Sequence, residues 1–344
     1  MHPIKRLLRT VARPVRRGKE HQGLLIHAFR GYGTTRRVYL MGRLFRQPGS
    51  RSVAPQGQVL RDLFSFFRRV FRRGVAGELV IMKLGEISHQ CRTDKNGFFQ
   101  FSLDGLEGQT GNGGLIEVSL TLEKHPEVRA GAEIYVTPEQ ARFAVISDID
   151  DTVMETGVAN KFKMFWRLFA SGAQSRVAFP GVAEFYQRLH AGRSGQQHNP
   201  MLYVSRAPWS IYEMLEAFFR AHDIPVGPVL FLRDWGMTLQ QPLPRRGSDH
   251  KHRLIEKMLA LYQELPFILI GDSGQHDPEV YADIVQRHPG RVKAIYIRDV
   301  SRSMSRTAEI ERLGGIVRKT DCDLVLTDDT DVMVRHARSK SFIG

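Results

Sequence analysis

Two regimes of hydrophobic patterning divide this chain. Between Leu24 and Val136 the apolar residues come in short runs: Leu24 to Phe29, Val38 to Phe45, Glu78 to Leu84, Phe98 to Phe101, Leu115 to Leu122 and Ala132 to Val136. Runs of this length, rich in Val, Ile and Phe, read as strands with one face inward. Gly31-Tyr32-Gly33 reads as the turn between the first two strands, and Thr93 to Gly97 as the turn before another. One stretch breaks the pattern. Leu60, Leu63, Phe64, Phe67, Val70 and Phe71 fall at helical spacing, with Arg61, Arg68, Arg69, Arg72 and Arg73 on the opposite face. Pro138 and Glu139 mark a boundary.

Beyond it the rhythm changes. Unbroken apolar runs at Phe143–Ile146, Met201–Val204, Val229–Leu232, Phe267–Ile270, Val292–Ile297 and Leu324–Leu326 alternate with helix-spaced segments. Val182, Phe185, Tyr186 and Leu189 share one helix face. Ile211, Met214, Leu215, Phe218 and Phe219 mark a second helix, and Leu254, Met258, Leu261, Tyr262 and Leu265 a third. Strands without polar alternation, separated by helices, predict a parallel sheet with right-handed crossovers. The expected organisation is a basic arm over 1–22, a β-rich, sandwich-like domain over 23–140 and a three-layer α/β domain over 141–344.

Composition adds charge to this picture. Among 344 residues, 50 Lys and Arg face 36 Asp and Glu, a formal net charge of +14. Such a chain is drawn to polyanions, either an anionic membrane surface or nucleic acid. The arm concentrates the charge in Lys5, Arg6, Arg9, Arg13, Arg16, Arg17 and Lys19, interleaved with Ile4, Leu7, Leu8 and Val11. Apolar residues among the cations favour the membrane, since burying them adds attraction that salt does not screen. The two cysteines, Cys91 and Cys322, have no metal-binding or disulfide spacing. No stretch approaches the roughly 18–20 apolar residues of a membrane span, and the amino terminus lacks a signal-peptide core. The expectation is a cytoplasmic protein associated peripherally with a membrane.

The chemistry begins where the first unbroken strand ends. Phe143-Ala144-Val145-Ile146-Ser147 runs into Asp148-Ile149-Asp150-Asp151-Thr152. Ligands of open α/β sheets sit just past the carboxyl ends of strands. Two carboxylates crowded there raise each other's pKa, so a cation belongs between them. Three further points recur in order: Ser205 at the end of the second run, Lys251 opening a helix, and Gly271-Asp272-Ser273-Gly274-Gln275-His276-Asp277 after the next. Asp272 and Asp277 add two more acids, which Lys251 alone does not balance. A hard divalent ion held by oxygen is the complement, and Mg2+ fits. Taken singly, Ser205 and Lys251 also suit structural roles, and Asp277, before Pro278, also suits a helix cap. His250, His252 and His276 read as outer hydrogen-bond donors, and Gln275 as a residue that shapes its loop.

These four points, in this order and context, resemble the motifs of the haloacid dehalogenase superfamily of phosphotransferases. The resemblance implies that Asp148 is the nucleophile and Asp150 the general acid and base. It further implies that Ser205 and Lys251 hold the phosphoryl group and that Asp148, Asp150, Asp272 and Asp277 form the Mg2+ site. A narrower resemblance spans roughly residues 142 to 300. The strings DIDDT, NPMLYVSRAPWSIY and FILIGDSGQHDPEVY look like the catalytic domain of the actin-patch-protein phosphatidate phosphatases. This implies a magnesium-dependent phosphatase acting on a lipid phosphate. Lys161 to Arg176, with Phe162, Phe165, Trp166 and Phe169 among basic residues, then falls where the superfamily places a flap over its site. A basic aromatic flap suits an amphiphile with an anionic head; the alternative reading of the same segment is a helix packed on the β domain. The alternatives are a soluble or nucleic-acid phosphate as substrate, or a binding protein without turnover.

Overall fold

The computed structural model describes residues 23–46, 74–105, 113–149, 179–205, 209, 212–231, 248–301 and 303–344. The basic arm, the Val59–Arg73 helix, Asp150 and the Lys161–Arg176 segment lie outside the described residues. Two compact units divide the chain, the first ending at Val136 and the second beginning at Thr137.

The first unit is a β structure. Its strands are β1 (Leu24–Ala28), β2 (Gly31–Gly33), β3 (Arg37–Arg46), β4 (Leu79–Leu84), β5 (Ile87–Arg92), β6 (Phe98–Asp104), β7 (Gly114–Leu122) and β8 (Arg129–Val136). They join in the order β1-β3-β2-β8-β7-β4-β5, with β6 on β3. Every pairing is antiparallel except that of β2 with β8. Alternating burial along β3, β4 and β6 turns Val38, Leu40, Val80, Met82, Phe99 and Phe101 into one core. The Thr93–Gly97 turn forms as its residues require. The Asp94 carboxylate accepts from the backbone of Asn96 at 2.9 Å and Phe98 at 2.8 Å, and Gly97 takes a positive φ of 80°.

Gly31-Tyr32-Gly33 corrects the sequence expectation, because it is strand β2 and not a turn. The glycines serve close packing. A Cβ on Gly31 would lie 2.7 Å from the Tyr39 carbonyl and 2.8 Å from Ile134 Cγ1.

The second unit is mixed α/β. Its elements are β9 (Ala144–Asp148), α1 (Val182–Ala191), β10 (Met201–Ser205), α2 (Tyr212–Ala221), β11 (Val229–Phe231), α3 (Ser248–Leu261), β12 (Phe267–Asp272), α4 (Asp277–Arg287), β13 (Val292–Arg298), α5 (Met304–Val317), β14 (Asp323–Thr327) and α6 (Thr330–Ser339). Its six strands are all parallel, in the order β11-β10-β9-β12-β13-β14. Every residue of β9, β10 and β12 is buried, which accounts for their unbroken apolar runs. The helices pack in two groups, α1 with α6, and α3, α4 and α5 in sequence. The buried hydrophobic residues of α1 are Val182, Phe185, Tyr186 and Leu189, the four named by spacing. The chain order of the strands reverses between β9 and β12, and such a reversal opens a crevice at the strands' carboxyl ends.

Asn199 anchors the entry to β9. Its fully buried side chain accepts from the backbone of Arg142 at 2.8 Å and Phe143 at 3.3 Å, and donates to the Leu189 carbonyl at 2.9 Å. Asn199→Ala strands these groups away from water and should destabilise the protein by about 2–3 kcal/mol. Urea unfolding should show a lower midpoint with an unchanged slope.

Candidate active site

Asp148 and Asp272 end neighbouring parallel strands. Ser147 of β9 pairs with Ile270 of β12, so the two acids follow one residue apart in register. Asp277, the first residue of α4, closes the group. Oxygens of Asp148, Asp272 and Asp277 lie within 4.8 Å of one another, and all three side chains are fully buried.

Lys251, from α3, enters the cluster with only 1% of its surface exposed. Its Nζ lies 3.3 Å from Asp148 Oδ2 and donates to Asp277 Oδ1 at 2.5 Å. The Gln275 amide bridges two of the acids, its Nε2 donating to Asp148 Oδ2 at 3.1 Å and to Asp272 Oδ2 at 2.8 Å. Asp277 Oδ2 accepts from the Asp272 backbone at 3.4 Å. Gly271 makes room for this, since a Cβ there would lie 2.4 Å from Asp277 Oδ2. The loop alternates: Ser273, Gln275 and Asp277 are buried, while Gly274 and His276 are exposed.

The cluster's field reaches its neighbours. Tyr281, whose hydroxyl donates to the Ile270 carbonyl at 3.1 Å, is held neutral far beyond the usual phenol range. Burial is the main cause, and Asp277, Asp148 and Asp272 push the same way. The same ring lies 6.0 Å from Lys251 Nζ, close enough for a cation–π attraction.

Among the described residues, one ammonium faces three buried carboxylates. Like charges at this range do not all stay ionised without a further cation. The donors are all carboxylate oxygens, with no imidazole or thiolate in the group, which suits a hard ion such as Mg2+. Oxygens within 4.8 Å of one another are close enough to share one such ion.

Ser205 is buried at the end of β10, one residue past Val204, which pairs with Asp148. The backbone of Ile149 donates to the Val204 carbonyl at 3.1 Å, tying the two strand ends together. Asp277 does not cap its helix. The cap position belongs to His276, and the Asp277 carboxylate turns to Lys251 and the Asp272 backbone. His252 turns to Asp283 on α4 and, through Nδ1 at 3.4 Å, to Glu256, while the His250 ring meets Arg253. Gln275 does more than shape its loop, because its amide joins two strand-end acids. The signal was its place between Asp272 and Asp277, but an amide among acids reads as neutral spacing until the loop is folded. Trp209, after the serine strand, is buried.

Residues 143–299 match the model of a family described as phosphatidate phosphatase APP1, catalytic domain. Phosphatidate phosphatase APP1 of Saccharomyces cerevisiae is 34% identical over 172 residues, covering 50% of this chain and 28% of that protein. An uncharacterised protein of Schizosaccharomyces pombe is 27% identical over 157 residues, covering 46% of this chain and 25% of that one. The chain thus spans about a quarter of the length of the curated relatives it matches. Among solved structures, a carbohydrate acetylesterase from Xanthomonas citri aligns at 10% identity over 86% of this chain and 66% of its own, with a TM-score of 0.29, too low to bear on the fold. The stretch matched by the family model contains Asp148, Ser205, Lys251, Asp272 and Asp277.

Proposed function

We propose that this protein is a magnesium-dependent phosphatase of the haloacid dehalogenase type, acting on phosphatidate or a related lipid phosphate through an aspartyl-phosphate. One observation carries the reading: a buried carboxylate at the switch point, Asp148, oriented by Lys251 and Gln275 and flanked by Asp272 and Asp277. The similarity of residues 143–299 to a phosphatidate phosphatase catalytic domain supports it and directs it to lipid phosphates.

In the first step Asp148 attacks phosphorus, forming an acyl phosphate as the bond to the leaving oxygen breaks. Asp150, two residues on in sequence, gives that oxygen a proton. In the second step Asp150 takes a proton from water, the water oxygen attacks phosphorus, and the Asp148 carboxylate leaves with inorganic phosphate released. Lys251 and Gln275 hold Asp148 Oδ2 throughout, which fixes the carboxylate plane for the attack. Ser205 donates to a phosphoryl oxygen, and Lys251 offsets the charge brought in by the substrate. When bound, a divalent cation would be held by Asp148, Asp150 and Asp272 with support from Asp277, and would supply Lewis-acid neutralisation of the phosphoryl oxygens. Asp277 is better placed to orient Lys251 and the Asp272 backbone than to bind directly, since both its oxygens are already engaged.

A net charge of +14 brings the protein to the anionic surface where such a substrate resides. We place it there as a peripheral enzyme. No helix among the described residues is long and apolar enough to cross a membrane.

The deciding assay is phosphate release from phosphatidate in mixed micelles against a panel of soluble and nucleic-acid phosphates, with Mg2+ or with chelator. The expected result is Mg2+-dependent release, fastest from phosphatidate. Release that persists in excess chelator overturns the metal, and preference for a soluble or polynucleotide phosphate overturns the lipid. Asp148→Asn should lower turnover at least about a thousandfold with the fold intact, the scale of losing a nucleophile; a folded variant that keeps its rate would remove the mechanism. Gly271→Ala should raise the Mg2+ concentration for half-maximal rate roughly tenfold, by displacing Asp277. Circular dichroism would show the fold retained, and an unchanged Mg2+ requirement would mean Asp277 does not support the site.

A further inference from the structure

The structure assigns Arg306, on α5, as a positioning residue of the acid cluster. It lies past the stretch that the family model matches, which ends at residue 299. The assignment rests on the proposed cation site, and its argument is geometric.

The six residues from Gly271 to His276 must turn sharply so that Asp272 and Asp277 meet at one point. Peptide carbonyls inside such a turn have no strand or helix N–H to donate to them. Arg306 supplies the donors. Its Nε donates to the Ser273 carbonyl at 2.9 Å and its Nη2 to the Gln275 carbonyl at 2.6 Å. The same guanidinium grips Glu279, with Nη2 at 3.0 Å from Oε2 and Nη1 bonded to Oε1. Glu279 sits in the first turn of α4, two residues after Asp277. One rigid planar group thus ties the peptide just before Asp277 to the helix just after it. It also fixes the backbone of Gln275, whose amide reaches Asp148 and Asp272.

The connection leading to Arg306 adds a second clasp. The Ser273 hydroxyl donates to Asp299 at 2.9 Å and accepts from the backbone of Val300 at 2.9 Å and Ser301 at 3.1 Å. The loop carrying Asp272 is therefore held by Asp299, Val300, Ser301 and Arg306.

A lysine at 306 keeps the charge but lacks the flat fork that serves two carbonyls and both oxygens of one carboxylate. Residues that hold metal ligands from behind typically matter 10- to 100-fold in affinity, roughly. The experiment compares the full chain with Arg306→Lys, Arg306→Gln and Glu309→Gln. Glu309 touches Arg306 Nη1 at 2.9 Å but not the loop, and serves as control. Two readouts are taken: the Mg2+ dissociation constant by calorimetry, and amide hydrogen exchange of the 271–279 segment without metal. Arg306→Lys should weaken Mg2+ about tenfold and speed exchange in that segment alone, Arg306→Gln should do both more strongly, and Glu309→Gln should do neither. Wild-type affinity and exchange in a folded Arg306→Lys protein would overturn the assignment, as would faster exchange spread over the whole second unit. Should the parent protein bind no divalent ion, the phosphatase reading falls, and the exchange measurement alone decides for or against Arg306.

Discussion

Three carboxylates are buried around one ammonium, and the architecture of the second unit answers to their repulsion. Desolvation alone makes each buried carboxylate costly, and crowding them adds to it. A structure holds such a group only if other bonds leave the side chains no room to part. Here Lys251 and the Gln275 amide join Asp148 to Asp277 and Asp272. Removing Lys251 would leave uncompensated charge in a buried interior.

The parallel sheet supplies the rigidity that this requires. β9, β10 and β12 are buried along their whole length, so their carboxyl ends are fixed by packing on every side. Aromatic side chains brace the strands from behind, with Tyr186 stacked against Tyr203 at 6.3 Å and Phe185 edge-on to Tyr296 at 5.4 Å. Tyr186 also bonds the Ser147 hydroxyl at 2.6 Å, one residue before Asp148. The apolar runs thus build more than a core. They make a platform stiff enough to present acids at a strand end without the sheet yielding.

Much of this was legible in the sequence because its signals are local. Unbroken apolar runs announced the buried strands, and the spacing of Val182, Phe185, Tyr186 and Leu189 announced a helix face. Acids at strand ends announced the site. The signals failed where tertiary packing chose against local habit. Gly31 and Gly33 look like turn residues and are instead strand residues with a neighbouring backbone pressed upon them. Helix α5 went unread because its buried residues are only Ile310, Gly314 and Val317, too few and too small to make a hydrophobic stripe. Helix α6 buries Thr330, Met333 and Ala337, with one large apolar side chain among them. Gln275 and Arg306 are invisible for a different reason. Their value lies in which carbonyls and carboxylates they reach, and no periodicity encodes that.

The site's support also extends past the acids in the chain. Arg298, at the end of β13, is buried; it donates to the Asp328 carbonyl at 3.0 Å and the Thr330 hydroxyl at 2.9 Å, with its guanidinium 4.4 Å from the centre of the Phe179 ring. Thr330 in turn donates to the Pro180 carbonyl at 2.8 Å, before α1. The link between β14 and α6 therefore holds the chain just before α1. Arg306 clamps the second acidic loop from α5. The acid cluster ends at Asp277, but the bonds that hold the surrounding chain continue to Thr330. A cluster of like charges needs this wider scaffold, since each acid is held by what its neighbours cannot move away from.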